Sequence, residues 1–255
     1  MAKTSIAWTE FTWNPTTGCT KISEGCNNCY AEKLSKRLKA MGNPKYKNGF
    51  ALTMHADILE QPISWKKSKM VFVNSMSDIF HENIDTAYIM KVFEVMNKTP
   101  QHTYQVLTKR SERLLKLSQQ IRWTPNIWMG VTVENNKHID RINHLLQTSA
   151  STKFLSFEPL IAPIKIESLT GIDWVIVGGE SGPNGRLIKK EWIDDIHDIC
   201  NPDHIPFFFK QWGKSKNNPN KLDPTIDSKH LYHAKGGCQL DGKIYHEYPI
   251  SLQNY

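Results

Sequence analysis

Three of the five cysteines fall in one stretch, Gly18-Cys19-Thr20-Lys21-Ile22-Ser23-Glu24-Gly25-Cys26-Asn27-Asn28-Cys29, with the spacing C-x6-C-x2-C. Cys200 and Cys238 lie far from it along the chain. In a reducing compartment such a cluster binds metal more readily than it forms disulfides. Structural zinc wants a fourth ligand, usually on a second knuckle of similar spacing. The chain has no second knuckle, so His55, His81 or His102 would have to complete the site. Three thiolates alone suit a 4Fe-4S cube held at three corners. Electron-transfer clusters take four cysteines, so a three-cysteine loop leaves one iron open to an exogenous chelate. The open cluster is the main expectation and zinc the runner-up.

A cluster loop needs a frame, and the apolar patterning supplies one. Short apolar runs begin at 70 (Met70-Val71-Phe72-Val73), 104 (Tyr104-Gln105-Val106-Leu107), 127 (Ile127-Trp128-Met129-Gly130-Val131), 153 (Lys153-Phe154-Leu155-Ser156-Phe157), 174 (Trp174-Val175-Ile176-Val177) and 206 (Pro206-Phe207-Phe208-Phe209). They are aromatic or β-branched and too short for helices, as buried parallel strands are. The gaps between them hold a turn and one crossover helix. Helices are expected at 30–41, 85–97, 111–118, 136–147 and 190–200. In the second of these, Ile89, Val92, Phe93 and Met96 share a face. Ile6-Ala7-Trp8, Phe11-Thr12-Trp13 and Phe50-Ala51-Leu52-Thr53-Met54 are further candidate strands. Seven or eight βα units in 255 residues point to an α/β fold, a parallel (β/α) barrel, complete or partial, of the TIM-barrel kind. An open doubly wound sheet is the alternative, without an early Gly-x-Gly-x-x-Gly to support it. The barrel is expected over 1–213. An exposed loop at 213–229 and a small hairpin or lid at 236–243 make up a C-terminal piece, 214–255, packed on it.

In a βα barrel the active site is built at the carboxyl ends of the strands. Here the strands end in Asn74, Ser75, Ser77, Asp78 and His81; in Thr108, Lys109 and Arg110; in Glu134 and Asn135; in Glu158; in Gly178, Gly179, Glu180 and Ser181; and in Lys210, Gln211 and Trp212. Any one of them alone reads as a helix cap or surface ion pair, but six successive strands ending alike point to one mouth beside the cysteine loop. No P-loop and no Ser-His-Asp arrangement is present.

A cysteine-rich loop after the first strand of a βα barrel resembles the radical S-adenosylmethionine (radical SAM) superfamily. The usual spacing there is C-x3-C-x2-C, and this chain carries three more residues in the first gap. More closely, it resembles a phage- and mobile-element-associated three-Cys-motif family that is radical-SAM-like. The matching segments include Trp13-Asn14-Pro15-Thr16-Thr17-Gly18-Cys19, Gly25-Cys26-Asn27-Asn28-Cys29-Tyr30-Ala31-Glu32, Val73-Asn74-Ser75-Met76-Ser77-Asp78-Ile79-Phe80-His81, Leu107-Thr108-Lys109-Arg110, Gly130-Val131-Thr132-Val133-Glu134-Asn135, Ser156-Phe157-Glu158-Pro159-Leu160, Gly178-Gly179-Glu180-Ser181-Gly182 and Phe209-Lys210-Gln211-Trp212-Gly213.

The resemblance implies a 4Fe-4S cluster on Cys19, Cys26 and Cys29, with S-adenosyl-L-methionine chelating the open iron. It also implies a 5′-deoxyadenosyl radical that takes hydrogen from an inert C–H bond. Asn74, Ser75, Ser77, Glu134, Gly178, Gly179, Glu180 and Ser181 are then the expected cofactor contacts. Gly178-Gly179-Glu180 resembles the superfamily's Gly-Gly-Glu stretch, which normally follows an early strand, so Asn74 to Asp78 is the alternative for binding the cofactor amine. Asp78, Lys109, Glu158 and Lys210 are the expected catalytic residues, with Lys109, Arg110 and Lys210 suited to a carboxylate or phosphate.

Composition adds a preference about partners. The net charge of +7 and pI near 9.0 favour a polyanion. A nucleic acid or nucleotide is the expected substrate, to be modified or repaired, by analogy with the radical SAM lyase of spore photoproduct. A flavodoxin or ferredoxin is the expected electron donor, with a partner protein encoded nearby as a further possibility. The basic run Lys66-Lys67-Ser68-Lys69 is a solvated surface or a guide for a phosphate backbone. Trp8, Trp13, Trp65, Trp128 and Trp212 read as core or rim, with Trp212 as a candidate base-stacking platform. The start Met1-Ala2-Lys3-Thr4 lacks a signal-peptide pattern, and no apolar run approaches a membrane span. A cytoplasmic protein is expected. The competing function is a zinc-stabilised, non-catalytic nucleic-acid-binding or interaction protein.

Overall fold

The computed structural model describes residues 2–220 and 236–249; residues 221–229 of the expected 213–229 loop and the end of the 214–255 piece lie outside the described residues. The chain forms two compact units, Met1–Val131 with Asn143–Thr152, and Thr132–Ile142 with Lys153–Tyr255.

The first unit holds β1 (Ala2–Lys3), β2 (Phe11–Trp13), β3 (Thr16–Thr17), α1 (Tyr30–Ala40), β4 (Thr53–Met54), β5 (Met70–Val73), α2 (Thr86–Lys98), β6 (Thr103–Thr108) and α3 (Ser111–Ser118), and nearly all of β7 (Ile127–Thr132). β1 pairs antiparallel with β2, and β2, β5, β6 and β7 pair in parallel in that order. Parallel neighbours need crossovers, which α1, α2 and α3 provide. Val71, Val73, Tyr104, Val106, Met129 and Val131 have no measurable exposure. These strands are covered on both faces, which is why they read as continuous apolar runs. In α2 the expected face of Ile89, Val92, Phe93 and Met96 is buried, and Asp85 Oδ1 caps the helix by accepting the Ala87 N–H at 2.9 Å.

Two expected strands are corrected. Ile6-Ala7-Trp8 forms a turn, with the Thr9 N–H on the Ile6 carbonyl; its apolar character comes from Trp8, a core residue that needs no strand. In the 50–54 segment only Thr53–Met54 is strand, and it pairs with β3 outside the main sheet. The Phe50 carbonyl instead accepts the Cys19 N–H, so this segment braces the cysteine loop.

After α4 (Asp140–Leu146) come β8 (Thr152–Phe157), β9 (Trp174–Gly178), α5 (Lys190–Cys200), β10 (Phe207–Gln211), β11 (Gln239–Leu240) and β12 (Lys243–Ile244). In the second unit β8, β9 and β10 pair in parallel. Parallel strands following chain order, joined by helices, make this an α/β fold with the strand succession of a partial (β/α) barrel. Among the described residues the count of βα units is lower than expected. The connection 158–173 has no helix and carries Pro159 and Pro163, which withhold backbone donors. β11 and β12 pair antiparallel and flank Asp241-Gly242, at φ 50° and 75°, the residues a type I′ turn demands. The tail covers the edge of β10, with Phe209 N–H on the Tyr245 carbonyl at 2.8 Å and Trp212 N–H on the Gly237 carbonyl at 3.0 Å. Trp212 is wholly buried and gives its indole N–H to the Gln239 carbonyl at 2.7 Å, so it is core and no stacking platform. No helix among the described residues is long and apolar enough to cross a membrane.

Candidate metal and cofactor site

The cysteine loop leaves the carboxyl end of β2 through Gly18, whose φ of +82° suits glycine alone. A Cβ there would stand 2.3 Å from the Ala51 carbonyl oxygen. Gly18 N–H is held by the Met76 carbonyl at 3.0 Å and Cys19 N–H by the Phe50 carbonyl at 3.2 Å. Cys26 closes a short 3-10 turn, with its N–H on the Ser23 carbonyl at 3.0 Å. Cys29 N–H reaches the Cys26 carbonyl at 3.3 Å, and Cys29 immediately precedes α1 and packs against Ala31, Tyr46 and Met76. All three thiols are free and half-buried, whereas Cys200 and Cys238 are buried.

The end of β5 lies beside this loop, with Ser77 in a parallel bridge to Gly18. Asn74 adopts a left-handed φ of 60° and gives its N–H to the Trp13 carbonyl at 2.8 Å. Its Oδ1 accepts the Thr16 N–H at 3.3 Å, while its buried Nδ2 has no partner among the described residues. Ser75 Oγ bonds Asn14 Oδ1 at 3.2 Å, and the Ser75 carbonyl accepts the Tyr30 hydroxyl. Ser77 Oγ sits 2.7 Å from Thr16 Oγ1.

Asp78 joins the ends of β5 and β6. Its Oδ1 accepts the Phe80 N–H at 3.0 Å and the Thr108 hydroxyl at 2.7 Å. Its Oδ2 accepts the Lys109 N–H at 3.1 Å and Arg110 Nη1 at 3.3 Å. Arg110 then reaches the loop: Nη1 lies 3.4 Å from Cys19 Sγ, Nη2 bonds the Thr20 carbonyl (3.1 Å) and hydroxyl (2.9 Å), and Nε bonds Glu82 Oε2 (2.8 Å).

These neighbours shift the titrations. Burial pushes the Cys19 thiol up to about 11, and Asp78 adds to the rise, against the pull of Arg110. Burial acts the same way on Cys26, yet Lys109 and hydrogen bonds from Ile22 and Ser23 hold it below its ordinary value. Burial opposes the fall of Glu82, but its backbone N–H, Arg110 and Thr20 bring its carboxyl down to about 2. Burial and the charge of Arg110 lower His81.

The remaining expected site residues belong to the second unit and form their own contacts. Glu134 is fully buried and pairs with Arg141 at 2.7 Å. Glu158 pairs with Lys210 at 2.8 Å, both partly exposed. A Cβ on Gly178 would meet Glu158 Oε1 at 2.9 Å, and one on Gly179 would meet the Trp212 carbonyl oxygen at 2.5 Å, so both glycines allow close approach. Glu180 accepts from the Arg186 backbone N–H and guanidinium, tying together the turn between them, and Ser181 is exposed.

A family model described as "Protein of unknown function (DUF5131)" matches residues 3–249. The chain belongs to the DUF5131 family. No curated protein matches this DUF5131 chain. Among solved structures it is similar to a cysteine-to-serine mutant of spore photoproduct lyase, with 12% identity and a TM-score of 0.47 over 79% of this chain and 74% of that one. A cysteine-to-alanine mutant of that lyase, with a further serine-to-cysteine change and bound AdoMet and dinucleoside spore photoproduct, gives 13% identity and 0.45 over 85% and 64%. A lyase complexed with dinucleoside spore photoproduct gives 13% and 0.41 over 73% and 59%.

The donor set of the DUF5131 site bears on which group it could hold. Among the described residues no three His, Cys, Asp or Glu side chains stand together as a ready ion cage. Each candidate zinc histidine has a hydrogen-bond partner: His55 Nε2 the Thr17 hydroxyl (2.8 Å), His81 Nε2 the hydroxyl of Thr20 in the cysteine loop itself (3.0 Å) and His102 Nε2 the Pro62 carbonyl (3.3 Å). His81 Nδ1 accepts the Asn83 N–H at 3.1 Å, which uses its other nitrogen. Three thiols on one loop, with Arg110 at Cys19 and the charge of Lys109 acting on Cys26, are donors of the kind an anionic thiolate-held cluster takes. Thr20, Glu82, Asn14 and Tyr30 also take part and were not singled out from the sequence. Asn14 and Tyr30 flank the cysteine motif, but nothing in a single sequence marks Glu82.

Proposed function

We propose that this DUF5131 protein is a radical S-adenosylmethionine-type iron–sulfur enzyme that modifies or repairs a nucleic acid or nucleotide. The observation that carries the reading is one loop of three half-buried thiols at the carboxyl ends of β2 and β5, with an arginine from the end of β6 bonded to Cys19 and the charge of Lys109 acting on Cys26. Cys19, Cys26 and Cys29 would hold the 4Fe-4S cluster, and the loop after β5, with Asn74, Ser75 and Ser77, would meet S-adenosyl-L-methionine. When bound, those groups supply one-electron cleavage of a sulfonium and hydrogen abstraction from an inert C–H bond.

The chain's own residues do the rest. Arg110 and Lys109 offset negative charge on the sulfurs. Asn74 Nδ2 offers a buried donor to an incoming acceptor, since an unmade hydrogen bond there is costly. Lys210, paired with Glu158 at 2.8 Å, would receive a phosphate or carboxylate. The charge of +7 suits a polyanionic substrate. A flavodoxin or ferredoxin as electron donor, a further partner protein and a cytoplasmic setting belong to the same proposal.

The test is chemical. Reduced protein, loaded without oxygen and given S-adenosyl-L-methionine, should release 5′-deoxyadenosine, and Cys19→Ala, Cys26→Ala or Cys29→Ala should each abolish it. Equal turnover in those variants contradicts the reading.

A further inference from the structure

We propose that Arg110 is a positioning residue for the cysteine loop and, through its N–H bond to Cys19 Sγ, raises the reduction potential of the cluster held there. This rests on the iron–sulfur reading above. A guanidinium has five N–H groups in a rigid planar fork, and Arg110 uses its fork on Glu82, Asp78, the Thr20 carbonyl and hydroxyl, and Cys19 Sγ. The fork is itself fixed, because Asp78 is clamped by the Phe80 N–H, the Thr108 hydroxyl and the Lys109 N–H. Arg110 is buried, with 8% of its side chain exposed. The position of Cys19 is thus set from the end of β6, ninety-one residues away in the chain. A cluster gains negative charge on reduction. An N–H donor and a positive charge at a ligating sulfur stabilise the reduced form, and such contacts set cluster potentials and outer-shell geometry. Lysine keeps the charge without the fork, and Glu82 supplies opposing charge on the exposed side of the guanidinium.

The experiment compares wild type, Arg110→Gln, Arg110→Lys and Glu82→Gln after anaerobic loading, measuring iron per chain and the midpoint potential by EPR-monitored titration. The potential is expected to become more negative in Arg110→Gln, to lie between that and wild type in Arg110→Lys, and to become less negative in Glu82→Gln. Opposite signs at two residues of one network are not produced by loosening the loop. If Arg110→Gln does not fold or hold iron, the other two variants decide. Full iron with equal potentials in the loaded variants overturns the role of Arg110 alone. A wild-type chain that takes up no iron overturns the reading beneath it.

Discussion

Asp78 is a carboxylate at a candidate active site whose four contacts are all internal, and replacing it separates a supporting role from a chemical one. Asp78→Asn keeps the shape but leaves one acceptor oxygen where two served. Its Oδ1 partners, Phe80 N–H and the Thr108 hydroxyl, can both be kept. The Lys109 N–H then faces an NH2 group, and Arg110 loses its buried counter-ion while retaining Glu82. An orphaned buried donor costs about 1–3 kcal/mol, and breaking a buried ion pair costs about 3–5 kcal/mol. Because Arg110 keeps one carboxylate, the expected loss is about 3 kcal/mol. For a chain of this size that lowers Tm by roughly 6–12 °C. Urea unfolding followed by tryptophan fluorescence measures it. In Arg110→Met/Asp78→Asn the losses should add to less than their sum by at least about 1 kcal/mol, because the two residues share one contact. An Asp78→Asn protein within about 0.5 kcal/mol of wild type would refute the reasoning and return Asp78 to a purely chemical role.

Gly179→Ala should destabilise by about 1–3 kcal/mol, since its Cβ meets backbone at 2.5 Å, while Gly178→Ala should cost less because it meets only the movable Glu158 carboxylate; equal losses in thermal unfolding would contradict this. His81 is lowered from 6.5, so the unfolded chain takes up its proton first as pH falls, and stability that is intact above about 6.5 declines below it. The urea midpoint should drop with acidification through that window, and the drop should shrink in His81→Gln; an identical slope would exclude His81 as its source. Lys66 and Lys67 are exposed and Lys69 lies over the Phe11 ring. Changing all three to Glu should weaken binding of single- or double-stranded DNA and reduce its salt dependence, and unchanged binding would leave them as ordinary surface.

The frame was legible because its signal is local. Met70-Val71-Phe72-Val73 is strand at the positions its run marked, and α2 buries the face its spacing drew. Periodicity says nothing about partners, so the candidate strand at 50–54 carried no sign that only Thr53–Met54 would pair, and with Thr16–Thr17. That Cys19, Cys26 and Cys29 share one half-buried loop was legible from their spacing. The ties that hold it were not: Asp78 to Arg110 and Arg110 to Thr20 and Glu82 join residues that only the parallel order of β2, β5 and β6 brings together. Glu180 carries another tie that no string of residue types shows: its carboxylate is held by Arg186, six residues on, across a glycine-rich turn.

Quantifying metal and acid-labile sulfide in protein purified and loaded without oxygen tests the central claim most directly. About four irons with matching sulfide per chain, falling sharply in Cys19→Ala, Cys26→Ala and Cys29→Ala, is the predicted result. One tightly held zinc per chain with no iron, or iron that ignores the loss of those thiols, would contradict it.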